Sequence, residues 1–201
     1  MLLDRIIGVT ALIMICVLGL LMNIKVVLGN PALRSLGITT VIILIALMLM
    51  TFLGLSRRVN KNKLFNTLMS KLPFSEAFNR VYQAFHAYRN NHKYLTYALL
   101  ISFVNHSLNI TAFYLITKAL GFSVLNIHSY FFIVPLGMIT MSIPITPAGI
   151  GVGQAAFLKL FEWSLGTKTT IGADAVTIWQ VLAIAISLVG SYFYVSYAKK
   201  K

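Results

Sequence analysis

Long apolar runs separated by short polar breaks dominate the chain. Residues 6–28 are apolar apart from Asn23 and Lys25 near the far end, and residues 36–55 carry no charge. Residues 94–120 form a third run, with Asn105, His106, Ser107 and Asn109 at its middle. A fourth, 130–143, passes into Pro144-Ile145-Thr146-Pro147-Ala148-Gly149-Ile150-Gly151-Val152-Gly153, followed by a short apolar stretch, 154–165. The last run, 175–198, ends in Lys199, Lys200 and Lys201. About 20 apolar residues in a helix cross roughly 30 Å of hydrocarbon, so the pattern predicts crossing helices at 6–28, 36–55, 94–120 and 175–198. The stretch 154–165 is too short to cross alone. The first run exceeds the 7–15 apolar residues typical of a cleaved leader, and Asp4-Arg5 is not a basic leader start, so it reads as a retained helix.

Residues 56–93 have a different character. Arg57, Arg58, Lys61, Lys63, Lys71, Arg80, Arg89 and Lys93 fall here, with Glu76 the only acid. Phe74, Phe78, Val81, Phe85 and Tyr88 recur at spacings of four and three, the stripe of an amphipathic helix, and Pro73 suits its first turn. A basic helix with such a stripe either lies on anionic lipid or packs against the other helices.

Composition settles the solvent. Of 201 residues, 58% are hydrophobic and only 10% charged, and mean hydropathy is +0.84, whereas soluble domains run about 45–50% apolar and about 25% charged. These values exclude a cytosolic enzyme domain, a disordered tail and a fibrous repeat. The net charge of +13 would suggest nucleic acid in a soluble chain; here the basic residues lie between apolar runs, so they report orientation in a membrane and attraction to anionic headgroups. A lone cysteine, Cys16, excludes an intramolecular disulfide.

Positive charge collects on the cytoplasmic side of membrane proteins. With the loop 56–93 and the terminal lysines both placed there, the first and third helices run outward and the second and last run inward. Residues 129–166 must then start and finish on the outer side, as a re-entrant or broken hairpin. Lys25, Arg34, Lys118 and Lys168 fall on or near that side. The expected fold is all-α: a polytopic helical bundle with such a hairpin and a basic cytoplasmic amphipathic helix, forming one membrane domain.

The Pro/Gly segment falls at the expected tip of the hairpin. Lipid cannot satisfy a broken backbone, so such a break is tolerated only where protein or water covers it. Pro144 and Pro147 cannot donate amide hydrogen bonds, while Gly149, Gly151 and Gly153 permit positive φ and close backbone approach. A second half-helix starting near Gly151–Gln154 directs free N–H groups and a positive dipole end into the membrane, a design suited to anionic groups. A tight turn at a helix contact, with glycines present for packing, explains the same residues. No strand precedes the glycines, so they form no dinucleotide motif.

Other polar residues are candidates on the same grounds. Asn105, His106 and Asn109 sit mid-membrane, where polar groups are costly and either serve function or hydrogen-bond between helices. Arg5, oriented by Asp4, either binds a headgroup phosphate or anchors the chain at the interface. Lys159 and Glu162, three apart, suit an ion pair. Gln180 either packs or supplies a further hydrogen bond. Trp163 and Trp179 suit an interfacial belt. No nucleophile and base stand at a suggestive spacing, a lone histidine makes no metal site, and no cofactor is expected.

The segment Ser142-Ile-Pro-Ile-Thr-Pro-Ala-Gly-Ile-Gly-Val-Gly-Gln-Ala-Ala-Phe157 resembles the signature of the lysylphosphatidylglycerol synthase transmembrane-region family, also called flippase-like domains. Asp4-Arg5-Ile6-Ile7-Gly8, the basic mid-chain loop and Gly190 in the last helix fit the same resemblance. Family members carry a further helical region before the Asp-Arg segment, so the resemblance implies the C-terminal two-thirds. Many also place Arg-Glu where this chain has Gly153-Gln154, so no carboxylate stands there. The resemblance implies a bacterial inner-membrane protein that handles or translocates anionic or aminoacylated phospholipid, or a polyprenyl lipid, across the bilayer. The competing implication is a non-catalytic membrane subunit of a lipid-modifying transferase, with that transferase or a second copy as partner. A carrier for small solutes or ions ranks last, because the crossing helices hold no mid-membrane acid.

Overall fold

The computed structural model describes residues 2–55 and 92–198, which form helices and turns with no strand among them. The predicted aromatic stripe of residues 74–88 lies outside them. The helices are α1 (Leu2–Met22), α2 (Ile24–Gly29), α3 (Pro31–Leu55), α4 (His92–Ala119), α5 (Ile127–Met141), α6 (Val152–Leu165) and α7 (Ile171–Ala198), with a 3₁₀ turn, Pro147–Gly149, between α5 and α6. Stretches within α1, α3, α4 and α7 are long and apolar enough to cross a membrane: Asp4–Met22, Pro31–Leu49, Lys93–Ala119 and Ile171–Ser191. The chain is a multi-pass helical membrane protein.

Three boundaries differ from their expected places, each marked by local hydrogen bonds. The first run splits at Asn23, whose side-chain amide donates to the Gly19 and His128 carbonyls (2.8 and 2.9 Å) while its oxygen accepts from Ser129 Oγ (2.9 Å). The second helix starts at Pro31 rather than Leu36. Asn30 Oδ1 accepts the Ala32 amide at 2.9 Å, and a proline at the first helical position has no N–H to leave unpaired. The last helix begins at Ile171, where Thr170 Oγ1 donates to Asp174 Oδ2 at 2.9 Å.

Helix α1 is central. Of the stretches apolar enough to cross, that of α1 is 44% buried and that of α4 11%, and α1 packs along α3, α4 and α5. Its backbone passes α5 so closely that a Cβ on Gly19 would fall on the Phe131 carbonyl. Pro135, inside α5, removes the amide that would otherwise bond that carbonyl. Approach of a glycine backbone covers it.

The ends of α5 and α6 gather at one end of the bundle. There α1 finishes at Asn23, bound to His128 and Ser129; α3 begins at Asn30, whose Nδ2 donates to the Trp163 carbonyl at 3.1 Å; and Thr117 of α4 bonds the Tyr130 hydroxyl at 2.7 Å. Phe113 stacks on Phe157 at 4.7 Å, and Phe161 meets Phe122 and Tyr130 edge-on. Helices α5 and α6 are therefore a hairpin that opens at this end and points its turn along the bundle. At 1.5 Å per residue its arms reach about 21–23 Å, against about 42 Å for the 28-residue α7.

Candidate functional site

The turn joining the hairpin arms is an ordered backbone structure. α5 ends at Met141, and Ser142 keeps a right-handed conformation while its hydroxyl donates to the Ile139 carbonyl at 2.6 Å. Pro147 opens the 3₁₀ turn, Ala148 lies in the left-handed region (φ 54°, ψ 18°), and Gly149 and Gly151 follow at φ 68° and 85°. Side chains pay about 1–2 kcal/mol for such φ values, which explains glycine at the last two. Gly149 is also closed in: a Cβ there would come within 3.0 Å of the Met141 side chain.

Two glutamines tie this turn to its neighbours. Gln154 Oε1 accepts the Gly151 amide at 2.7 Å, so the third residue of α6 caps its own helix. Its Nε2 donates to Gln180 Oε1 at 2.8 Å and to Thr177 Oγ1 at 3.2 Å, both on α7. Gln180 is buried, and its Nε2 donates back to the Ala148 carbonyl at 3.2 Å. The strained Ala148 is thus held through its carbonyl, and turn, α6 and α7 are joined by a chain of amide hydrogen bonds. An amide at Gln154 both donates and accepts, whereas a carboxylate there would only accept.

Polar groups remain at the turn beyond this network. The Thr146 hydroxyl oxygen is buried with no hydrogen-bond partner among the described residues. Amides in the first turn of α6 have no intrahelical carbonyl to meet. A groove of about 330 Å³ opens between the turn and α7, lined by Ala148 and Ile150 of the turn and by Trp179, Gln180, Ala183 and Ser187 of α7. Trp179 lies beside the turn. Pro144, Pro147 and Gly151 are exposed, and Gly153 is buried against Met141.

The remaining candidates lie apart from the turn. Asn105 and Asn109 share a face of α4, as their spacing predicts, and Asn109 Nδ2 donates to the Asn105 carbonyl at 2.8 Å; Asn105 itself is exposed. His106 turns to α1, where its Nε2–H donates to the Gly8 carbonyl at 3.1 Å. Asp4 and Arg5 are exposed in the first turn of α1. The structure joins Gly151 and Gln154 to Gln180 and Thr177, and ties His106 to α1. Thr177 carried no signal in the sequence; Gln180 stood out only as a lone amide in an apolar run. Lys159 and Glu162 form the predicted pair at 2.8 Å.

A family model, described as the lysylphosphatidylglycerol synthase TM region, matches residues 1–190. The match runs over nearly the whole chain. Comparison with curated proteins and with solved structures returns no match. With its helices, its hairpin and its Pro/Gly turn in place, the chain belongs to the lysylphosphatidylglycerol synthase TM region family.

Proposed function

We propose that the protein is a flippase-like lipid handler, in which the α5–α6 hairpin re-enters the bilayer and meets a phospholipid headgroup at its turn. The observation that carries this reading is the interrupted helix with a groove beside it: Ala148, Ile150 and Gln180 line about 330 Å³ of space at the turn. Depth supports it. Counting about 1.5 Å per residue, the turn lies roughly 16 Å from Tyr130 at the hairpin mouth, near the middle of about 30 Å of hydrocarbon. Polar backbone at that depth requires a protein or water partner. The α6 N-terminus offers N–H groups and a positive dipole end to an anionic phosphate, Gln180 and the Thr146 hydroxyl add polar contacts, and acyl chains remain in lipid. Asn105, Asn109 and Arg5 serve as secondary polar contacts on this reading.

Orientation follows from charge. Only Lys25, Arg34, Lys118 and Lys168 belong to the end where the hairpin opens, against 12 basic residues in Arg5, the loop 56–93 and the terminal lysines, so the hairpin end faces outward. The loop 56–93 and the C-terminus face the cytoplasm of a bacterial cell. The test is exchange of a fluorescent phospholipid between leaflets of liposomes holding the native chain or Gly151→Leu. A Cβ on Gly151 meets nothing within 4 Å, but its φ of 85° strains any side chain by about 1–2 kcal/mol, so the variant alters the backbone of the turn itself. The expected result is exchange above empty liposomes, slowed about tenfold in the variant, equivalent to about 1.4 kcal/mol. Equal rates in the two proteins, or none above empty liposomes, reject the reading.

A further inference from the structure

A second cavity lies on the other flank of the hairpin. Helices α3 and α6 are pinned together at the hairpin mouth by Asn30 Nδ2 donating to the Trp163 carbonyl at 3.1 Å, and they touch only sparsely beyond it. Between them a cleft of about 510 Å³ opens, backed by α1 and α5 and lined by Ile13, Leu36, Ile43, Ile139, Leu160 and Trp163. This volume falls within the roughly 300–1,000 Å³ of small-ligand pockets.

The chemistry of its wall selects the occupant. Thr39, Thr40 and Thr140 also line the cleft, but each hydroxyl donates to a carbonyl of its own helix: Ser35, Leu36 and Leu136, at 3.0, 2.8 and 2.9 Å. Their donors are spent, and the wall behaves as apolar. One charge stands in the lining, Lys159, with 57% of its side chain exposed. Its ammonium gives one hydrogen to Glu162 Oε2 at 2.8 Å and, having three, keeps two to offer an anion. Trp163, one turn further toward the mouth, is an aromatic of the kind that sits at headgroup level. A transmembrane helix about 10–12 Å across cannot run the length of a slot whose walls are pinned at one end.

We infer that this cleft is a binding site for a phospholipid, which enters sideways between α3 and α6, lays one acyl chain against Leu36, Ile139 and Leu160, and sets its phosphate on Lys159. The inference goes beyond lipid movement at the turn and needs only that the chain sits in a bilayer. A lipid bound here in a protein that moves none would leave it standing.

The two tryptophans make it measurable, since Trp163 lines this cleft and Trp179 the other groove. With Trp179→Phe as background, the full chain in detergent micelles is titrated with phosphatidylglycerol brominated in one acyl chain, and quenching of Trp163 is followed. Saturable quenching at about one lipid per chain is expected. Thr39→Phe and Ala156→Phe, which fill the cleft from opposite walls, are expected to abolish the saturable phase. Lys159→Gln, a change at an exposed position that leaves folding intact, is expected to weaken it about tenfold through loss of a charge-assisted hydrogen bond. Non-saturating quenching, or quenching that Lys159→Gln and the folded filling variants leave unchanged, means annular lipid only and overturns the inference.

Discussion

The half of the bundle beside the hairpin and the half beyond its turn are made of the same apolar residues and packed in opposite ways. Beside the hairpin, Phe113, Tyr130, Phe157 and Phe161 are fully buried and meet ring on ring. Beyond the turn, α4 and α7 present Ile101, Val104, Ile186 and Leu188 outward, and Ile186 is 72% exposed. The residue types do not differ; the presence of a facing partner among the described residues does. In water the second half would aggregate. In lipid it costs little, because acyl chains are as apolar as leucine and burial itself drives nothing. What holds the first half is shape: rings filling gaps, and glycine backbones passing close.

That contrast predicts unequal responses to equal chemistry. Phe157→Ala removes a ring that stacks on Phe113 and abuts Gly137, and should cost about 3–5 kcal/mol as a large-to-small core change. Ile186→Ala on the outward face should stay within about 0.5 kcal/mol. Unfolding by denaturant in mixed micelles reads both, and similar losses would mean that exposure in the bundle does not mark loose packing. Gly19→Leu comes next. Its side chain has no space against the Phe131 carbonyl, so overpacking of about 3 kcal/mol is expected, whereas Gly8→Leu, with open space around its Cβ position, should cost about 0.5 kcal/mol or less in the same assay.

The turn sits at the border between the halves, and its tether is weaker than the core. Gln180→Leu frees the Ala148 carbonyl and one contact of Gln154. Unpaired buried amides cost about 1–3 kcal/mol in water-soluble proteins, but membrane double-mutant cycles average only about 0.6 kcal/mol, so about 1 kcal/mol is expected. A cycle of Gln154→Leu with Gln180→Leu should give a coupling near that value. A coupling indistinguishable from zero would mean that the turn holds its shape without α7.

Several parts of this arrangement were legible in the residues. Runs of 20 and more apolar positions set the four crossing helices, and two prolines with three glycines set the interruption. Charge asymmetry required 129–166 to return to the side it left, and both ends of the α5–α6 pair do gather at one end. The start of α3 was carried by Asn30-Pro31, a cap signal that hydropathy alone passes over. Site membership was harder to read. Spacing put Asn105, His106 and Asn109 on neighbouring faces of one helix, but which face meets another helix depends on packing, and an α4 that is apolar all round gives no amphipathic stripe to orient it. Gln180 became part of the turn only through α7 folding back antiparallel to α6, a contact between residues 26 to 32 apart in sequence.

The smallest effect probes the ion pair on α6 at the edge of the packed half. Lys159 and Glu162 pair across one turn of α6 at 2.8 Å, with side chains 57% and 20% exposed. An i,i+3 pair in a hydrated interface contributes about 0.5 kcal/mol or less. Glu162→Gln keeps the shape and removes one charge, so denaturant unfolding should shift by no more than that, and the shift should shrink further between 0.05 and about 0.5 M salt as the Debye length falls. A loss above about 1.5 kcal/mol, insensitive to salt, would place the pair among acyl chains, where leaving one charge unpartnered is far costlier. The hairpin mouth would then lie deeper than the interface. The distance from Trp163 to the turn would carry the interruption past mid-membrane, toward the loosely packed half.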